Sequence, residues 1–388
     1  MKVLWSVGVV AVVVGSLAGM FVVARVMNGP MTSASPAVGY ATVQGHDAVL
    51  VAYQRSGGQV PRPFGFDDQW QERLAAVSLG TGELLWDVKL HGHTRPNRAV
   101  LAVADGLAYV ATDYGLSIVA TEDGGILVDG DRIPGLGGDY AQAYTAYNVD
   151  PRLGVVVALT HSGEVVQIPL GTTEAAPAPR DVAEAWRGTL IDDRSPTRDP
   201  NFSISGVDPA AQSRSVALPD GDTLTFAKPY TQETARLVRG DRTLATVAGL
   251  TQAELLFDIV RTPVALATAE QLKEGADTFT KHHSAALPLG VEHGMALVYG
   301  QDADAPGVYE LRLFDIDTGE TLAVVDQIGG YLRATATPGG DILVVAAAED
   351  SSLDTDRLIV FRPDGRTTIT QIGDTDFWGH ARANVTTP

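Results

Sequence analysis

The sequence predicts an all-β chain folded as a β-propeller of about seven four-stranded blades, and three observations carry that expectation. The first is a recurring hairpin. Leu74–Leu90 reads as a strand, a turn at Thr81-Gly82-Glu83 and a second strand, and Leu311–Val325 repeats it around Thr318-Gly319-Glu320. Glycine accepts the positive φ such a turn needs, and the flanking β-branched and aromatic residues suit a pleated surface. The second is the spacing. Turn glycines at Gly82, Gly124, Gly163, Gly221, Gly319 and Gly365 are separated by 42, 39, 58, 98 and 46 residues. Most of these intervals match one propeller blade or a blade with an insertion, and 98 matches two blades with one mark lost. The third is a second hairpin upstream of the marked one, at Arg98–Thr112 around Gly106 and at Leu332–Ala346 around Gly340. Two hairpins per period make a four-stranded blade. Six or eight blades fit the same spacings, and an all-β sandwich or two smaller β domains is the alternative.

The elements follow in chain order. Val3–Ala24 is 22 residues without a charge, flanked by Lys2 and Arg25. About 20 such residues span a bilayer as a helix. Residues 1–25 are therefore expected to be a transmembrane anchor with the N-terminus inside, or a signal segment; cleavage after Val22-Val23-Ala24 is the alternative. Residues 26–37 are small and rich in Pro and Gly, a linker, and the propeller is expected over 38–388. Three insertions interrupt it. Residues 55–71 form a long loop with Phe64, Phe66 and Trp70. Residues 171–200 are irregular. Residues 249–277 read as helical, with Thr251 capping one segment and Thr268 with Gln271 forming a capping box before another. Ring closure is expected to pair a strand near Tyr40–Tyr53 with the last blade, since closure removes exposed edges.

Composition limits function. The formal net charge is −19, with 47 acidic and 28 basic residues. Such a surface repels phosphate backbones, which argues against nucleic-acid partners. The chain has no cysteine. That removes disulfides, thiol nucleophiles, zinc-thiolate sites and a lipidated cysteine.

The pattern from Ser78 to Leu90, with Thr81-Gly82-Glu83 followed by Trp86, resembles the quinoprotein-type (PQQ-like) propeller repeat. The copy at Asp315–Val325 has Ala323 where the blade tryptophan would fall, and the other copies match only in turn and strand. The resemblance implies a propeller in which Trp86 locks one blade to the next; Trp70, Trp186 and Trp378 do not fall at equivalent places. It also implies what a PQQ dehydrogenase of that family would need: a disulfide of adjacent cysteines against the cofactor, and carboxylates on calcium. The first is impossible here. The reading is therefore a non-catalytic member.

Few residues offer chemistry of their own. His91 and His93 would share one face of a strand extended that far, with no third ligand evident, and His282 and His283 would point to opposite faces. Asp350, Asp354 and Asp356 in the acidic run 349–356 are hard oxygen donors that could hold calcium, although the spacing lacks the glycine and terminal glutamate of an EF-hand loop. No phosphate-binding glycine loop and no nucleophile elbow occur. The expectation is a membrane-tethered, extracytoplasmic module, single-pass in the cytoplasmic membrane or secreted after cleavage. It would bind an envelope or membrane protein through Phe64, Phe66 and Trp70, because aromatic side chains dominate interface energetics. No cofactor is expected, apart from the possible calcium. A PQQ-like or metal-dependent enzyme, or a small-ligand sensor using the central channel, is the alternative.

Overall fold

A computed structural model describes residues 31–57, 59–62, 65–68, 70–192, 213–218, 220–227, 235–248, 250–256, 289–302, 304, 308–348, 354–376 and 380–387. The fold is built from antiparallel sheets in chain order. In the first sheet, β1 (Met31–Ala34) and β2 (Gly39–Val43) pair with the same edge of β3 (His46–Ser56). A separate two-stranded hairpin, β4 (Gln59–Arg62) and β5 (Gly65–Asp68), follows before β6 (Gln71–Ser78) and β7 (Leu84–His91) complete that sheet. The second sheet is β8 (Arg98–Ala104), β9 (Leu107–Thr112), β10 (Gly115–Ala120) and β11 (Ile126–Asp129). The third is β12 (Tyr147–Asp150), β13 (Val155–Leu159), β14 (Val165–Pro169) and β15 (Ala176–Pro177), followed by helix α1 (Arg180–Trp186). The fourth is β16 (Ser213–Ala217), β17 (Thr223–Ala227), β18 (Ala235–Arg239) and β19 (Arg242–Val247).

The fifth and sixth sheets share one strand. β20 (Leu250–Leu255), β21 (Met295–Asp302) and β22 (Tyr309–Asp315) pair with the first half of β23 (Thr321–Ala336). After an irregularity between Ile328 and Leu332, the second half pairs with β24 (Ile342–Ala348). β25 (Arg357–Phe361), β26 (Thr367–Thr375) and β27 (Ala381–Thr386) follow.

All the sheets but the fourth are buried on both faces, which is why their central strands read as apolar runs rather than alternations. In β3 the neighbours Val49 and Leu50 are both buried, but Val49 faces the sixth sheet and Leu50 faces the second. Five apolar layers result. Val49, Val51, Ala75 and Val77 meet Leu343, Val345, Leu358 and Val360 of the sixth sheet. Leu50, Leu74 and Ala76 meet Val100, Val110 and Val119 of the second. Similar layers join the second sheet to the third, the fourth to the fifth and the fifth to the sixth. The remaining face of the third sheet is covered by α1, with Val182, Trp186 and Leu190 against Val155, Val157 and Val165. The far face of the fourth sheet is polar, with a Ser215–Thr225 hydroxyl pair at 2.8 Å and an exposed Arg236. This face-to-face succession is propeller-like.

Six sheets occur among the described residues, against an expectation of about seven. The reason is that the glycine marks are not equivalent. Gly82, Gly124, Gly319 and Gly365 sit between the third and fourth strands of their sheets, but Gly163 lies between β13 and β14 and Gly221 between β16 and β17. The equivalent turns of the third and fourth sheets hold Gly171 and Gly240, also at positive φ. Counted that way the intervals are 42, 47, 69, 79 and 46 residues, and the two long ones contain insertions.

Other expectations shift as well. Residues read as linker supply β1. The helix expected from Thr251 is instead β20, because Ala253 and Leu255 are buried between the fourth and fifth sheets and pairing with β21 outweighs local propensity. Residues 257–288, with Thr268, Gln271, His282 and His283, lie outside the described residues, as do 1–30. Among the described residues no helix is long and apolar enough to cross a membrane. The loop 55–71 contains the β4–β5 hairpin, and 171–200 contains β15 and α1. Strands near Tyr40–Tyr53 stay in the first sheet. The first and sixth sheets meet by side-chain packing, by side-chain hydrogen bonds such as Arg362 to Leu79 O at 2.8 Å and Thr370 Oγ1 to Gly82 O at 3.0 Å, and by a parallel bridge, Ser33 to Thr355, with Ala34 N–H donating to Thr355 O at 2.9 Å.

Neighbouring sheets are also locked at their rims, as the tryptophan of the repeat implied. The Trp86 indole N–H donates to Thr121 O at 2.8 Å. Its ring lies over Gly124, where an added Cβ would sit 2.8 Å from the ring. Gly319 is covered in the same way by the backbone of Leu244, and Gly365 by that of Leu322. Trp86→Ala should lower unfolding free energy by about 2–4 kcal/mol, through lost ring packing and a lost hydrogen bond. Trp86→Phe should cost about 1 kcal/mol, and Gly124→Ala should cost at least that much, because φ is +76° there and the ring blocks the methyl. Urea titrations of the three variants check the order.

Candidate functional site

Antiparallel sheets put alternate connections at opposite ends. One end carries the connection from each second strand to the third and from each sheet to the next; here it is called the loop face. At the loop-face end of the first sheet, two buried polar clusters flank the sheet, one on each side.

The cluster facing the sixth sheet follows from residues of one parity: Tyr53 and Arg55 on β3, and Gln71 and Arg73 on β6, continue the rows of Val51 and Ala75. The Tyr53 hydroxyl donates to Asp87, and Arg73 Nε donates to Asp87 Oδ1 at 2.5 Å. Gln71 Oε1 accepts from Arg55 at 2.8 Å and from Arg73 at 2.5 Å. Burial pushes the Asp87 carboxyl up, and the Arg73 charge beside it pulls the other way. Gln71 and Arg55 stand at the two roots of the β4–β5 hairpin, so these bonds anchor it.

The cluster facing the second sheet has the opposite parity. Glu72 continues the row of Leu74 and Ala76 and is 1% exposed. Its Oε1 accepts the Arg95 backbone N–H at 2.9 Å. Arg98, at the start of β8, donates to Ser33 O at 2.7 Å, Gln54 Oε1 at 2.6 Å, and Arg95 O and Pro96 O at 3.0 Å. The Arg95 guanidinium lies 4.3 Å from the Tyr114 ring centre, and the His91 ring packs 4.6 Å from the same ring. Asp113 Oδ2 accepts both the backbone and side-chain N–H of Asn97, and Asp113 Oδ1 accepts Tyr144 N–H at 3.1 Å. Residues 92–97 are thereby stitched to the first sheet and to Asp113 at the end of β9, and Asp113 in turn holds Tyr144 ahead of the third sheet. Burial pushes Glu72 up to about 7, with the Arg95 N–H and the Arg98 charge opposing, and burial lowers Arg98 to about 10. Glu72 Oε2 is buried and accepts no hydrogen bond among the described residues. Through Oε1 this buried carboxyl fastens the loop at Arg95.

The residues singled out from sequence lie as follows. Phe64 is outside the described residues. Phe66 is in β5, paired with Pro61 in the backbone. Trp70 stands at the hairpin root and is 48% exposed. Asp350 is outside the described residues. Asp354 Oδ1 accepts Thr32 N–H at 3.0 Å, and Asp356 Oδ2 accepts from Gln371 at 2.7 Å. Each is thus tied to a different strand. Among the described residues no three His, Asp or Glu side chains form a group that could hold a metal ion. His91 closes β7 and packs on Tyr114, while His93 lies beyond the strand, so the two do not share a strand face. Sequence reasoning passed over Glu72, Arg95, Arg98 and Asp113. The available signal was a charge at a row position that is otherwise apolar, as at Glu72 before Leu74 and Ala76.

No family model matches the chain, and no curated protein matches it. Solved structures do match, among them the quinohemoprotein alcohol dehydrogenase ADHIIG from Pseudomonas putida HK5, at 10% identity and a TM-score of 0.21. That match covers 86% of this chain and 65% of the dehydrogenase, so the chain spans less than two thirds of that protein. At this score the likeness decides neither the fold nor the site.

The raised Glu72 carboxyl makes stability depend on pH. In the unfolded chain a glutamate ionises near 4.5, in the folded one at about 7. The stabilisation is full below the unfolded value and is lost as pH rises through 7. Glu72→Gln keeps the Arg95 acceptor without the charge. It should match the parent near pH 4.5 and exceed it at pH 8 by at most about 3 kcal/mol. Melting curves across that range check the sign.

Proposed function

We propose that this chain is a membrane-tethered, extracytoplasmic scaffold whose propeller-like succession of six sheets presents its loop face to a protein partner of the cell envelope. Val3–Ala24 is the tether in this reading, with the sheets outside the cytoplasmic membrane. The observation that carries it is the β4–β5 hairpin. Among the described residues it pairs with none of the six sheets, yet it is rooted by the Arg55–Gln71–Arg73 bonds; its sequence carries Phe64 and Phe66, and the exposed Trp70 stands at its base. A rigidly anchored element that adds nothing to the blades and carries aromatic residues suits recognition. The charged clusters beneath it support the same reading, because their groups are engaged in holding loops.

The test is recovery of a partner. Full-length protein, cross-linked in native membranes and purified in mild detergent, should retain one envelope or membrane protein in stoichiometric amount. Replacing Phe64, Phe66 and Trp70 together by alanine should reduce that recovery at least tenfold with an unchanged melting temperature. A parent protein recovered alone would turn the reading toward the enzyme or sensor, to be pursued with calcium and PQQ binding.

A further inference from the structure

Seven large apolar side chains are exposed among the described residues: Met31, Trp70, Leu127, Leu153, Ile191, Val324 and Val385. Leu127, Val324 and Val385 sit singly on outer strands, Ile191 follows α1, and Leu153 lies in the β12–β13 turn on the face opposite the loop face. Met31 and Trp70 differ, because they share one end of one sheet. Met31 pairs with Ser56, and Arg55 pairs with Gln71, so Trp70 stands one step outward from Gln71, on the other side of Ser56 from Met31. Strands are spaced by about 4.8 Å, which puts the two backbones about 10 Å apart. They are 49% and 48% exposed.

The described residues begin at this spot. Met31 begins β1 at the loop face, and five residues separate it from Arg25 at the end of the apolar segment. Fully extended, that stretch reaches about 20 Å. An anchor at Val3–Ala24 therefore holds the loop-face end of the first sheet within that distance of the bilayer surface. The apolar pair at that end is then the part of the domain nearest to lipid. Tryptophan is enriched at membrane–water interfaces, where its ring sits at headgroup level. The neighbouring sixth sheet brings Asp354, Asp374 and Asp376 to the same face, so a neutral headgroup surface fits better than an anionic one.

We propose that the loop face lies against the membrane, with Met31 and Trp70 resting in the headgroup region of a zwitterionic bilayer. The proposal rests on the tether of the reading above and refines its contact: Trp70 goes to lipid, and the partner is met at the membrane surface through the hairpin residues Phe64 and Phe66. Because the chain has no cysteine, one introduced residue gives a unique spin label. Met31→Cys, Trp70→Cys and, on the opposite face, Leu153→Cys are each labelled with a nitroxide in full-length protein and placed in phosphatidylcholine nanodiscs. Labels at 31 and 70 should show at least threefold higher oxygen-to-nickel-chelate accessibility ratios than the label at 153. Water-like ratios at all three positions in protein held by the nanodisc overturn the proposal and leave the scaffold reading intact. Immobilisation at 31 and 70 that appears only with a cross-linked protein partner overturns it also, and assigns the pair to a protein interface. If the chain is not retained by nanodiscs, the tether fails. The labelled protein is then mixed with phosphatidylcholine vesicles, where a raised ratio at 31 and 70 supports lipid contact without a tether, and no change sinks both ideas.

Discussion

A four-stranded sheet whose two faces are both apolar cannot exist in water without a neighbour on each side, and the rest of this structure follows from that constraint. Val49 and Leu50 on β3 are adjacent in sequence and buried in different layers, one against the sixth sheet and one against the second. Each layer is therefore shared, and the loss of the first, second, fifth or sixth sheet would expose a face of two others. The first and sixth sheets are the ends of the described chain, yet they form a layer as dry as any other. Where the succession of sheet layers stops, the exposed chemistry changes. The third sheet takes α1 as its cover, and the fourth turns a polar face outward.

Side-chain packing alone lets sheets slide, and the rim contacts oppose sliding. The Trp86 ring occupies the space that a side chain at Gly124 would need, and its N–H is satisfied by Thr121 O on the same neighbouring sheet. Leu244 over Gly319 and Leu322 over Gly365 use backbone for the same purpose. At the opposite end, the charged clusters beside the first sheet take over. A buried arginine such as Arg98 carries a large desolvation cost unless its donors are met, and here oxygens of three separate segments, Ser33 O, Gln54 Oε1 and the Arg95 and Pro96 carbonyls, accept from its two terminal nitrogens, while Nε has no acceptor among the described residues. This explains how short connections such as 92–97 are held in place, and why a loop face built on them offers a fixed surface.

Much of the fold was legible. The hairpins at 74–90, 98–112, 117–128, 155–168, 216–226, 311–325 and 358–370 all form, because alternating or continuous apolar runs and turn glycines act locally. The described residues hold six sheets where about seven were expected, with six left open, because a glycine at a turn does not say which turn of the sheet it serves, as Gly163 and Gly221 show. The helix expected at Thr251 failed for a related reason: Leu250–Leu255 has acceptable helix formers, but its partner strand begins 40 residues later at Met295. Of the candidate site, the aromatic loop was legible as an interruption, and Trp70 stands exposed at its base. The polar clusters beneath it were not, because Glu72 and Arg98 look like ordinary surface charges until the sheets close over them.

The sequence by itself determined the all-β class, the positions of most strands, the glycine turns and the apolar N-terminal segment, since each depends on neighbours within a few residues. The tertiary structure alone decided how many sheets form, which of them touch, and that Met31, Trp70 and the hairpin share one end of one sheet. Those facts depend on pairings such as Ser33 with Thr355 and on packing such as Val49 against the strands at 343–360, between groups some 300 residues apart. Local composition carries no record of so distant a partner, because a strand's apolar face is equally satisfied by any complementary sheet until chain connectivity selects one.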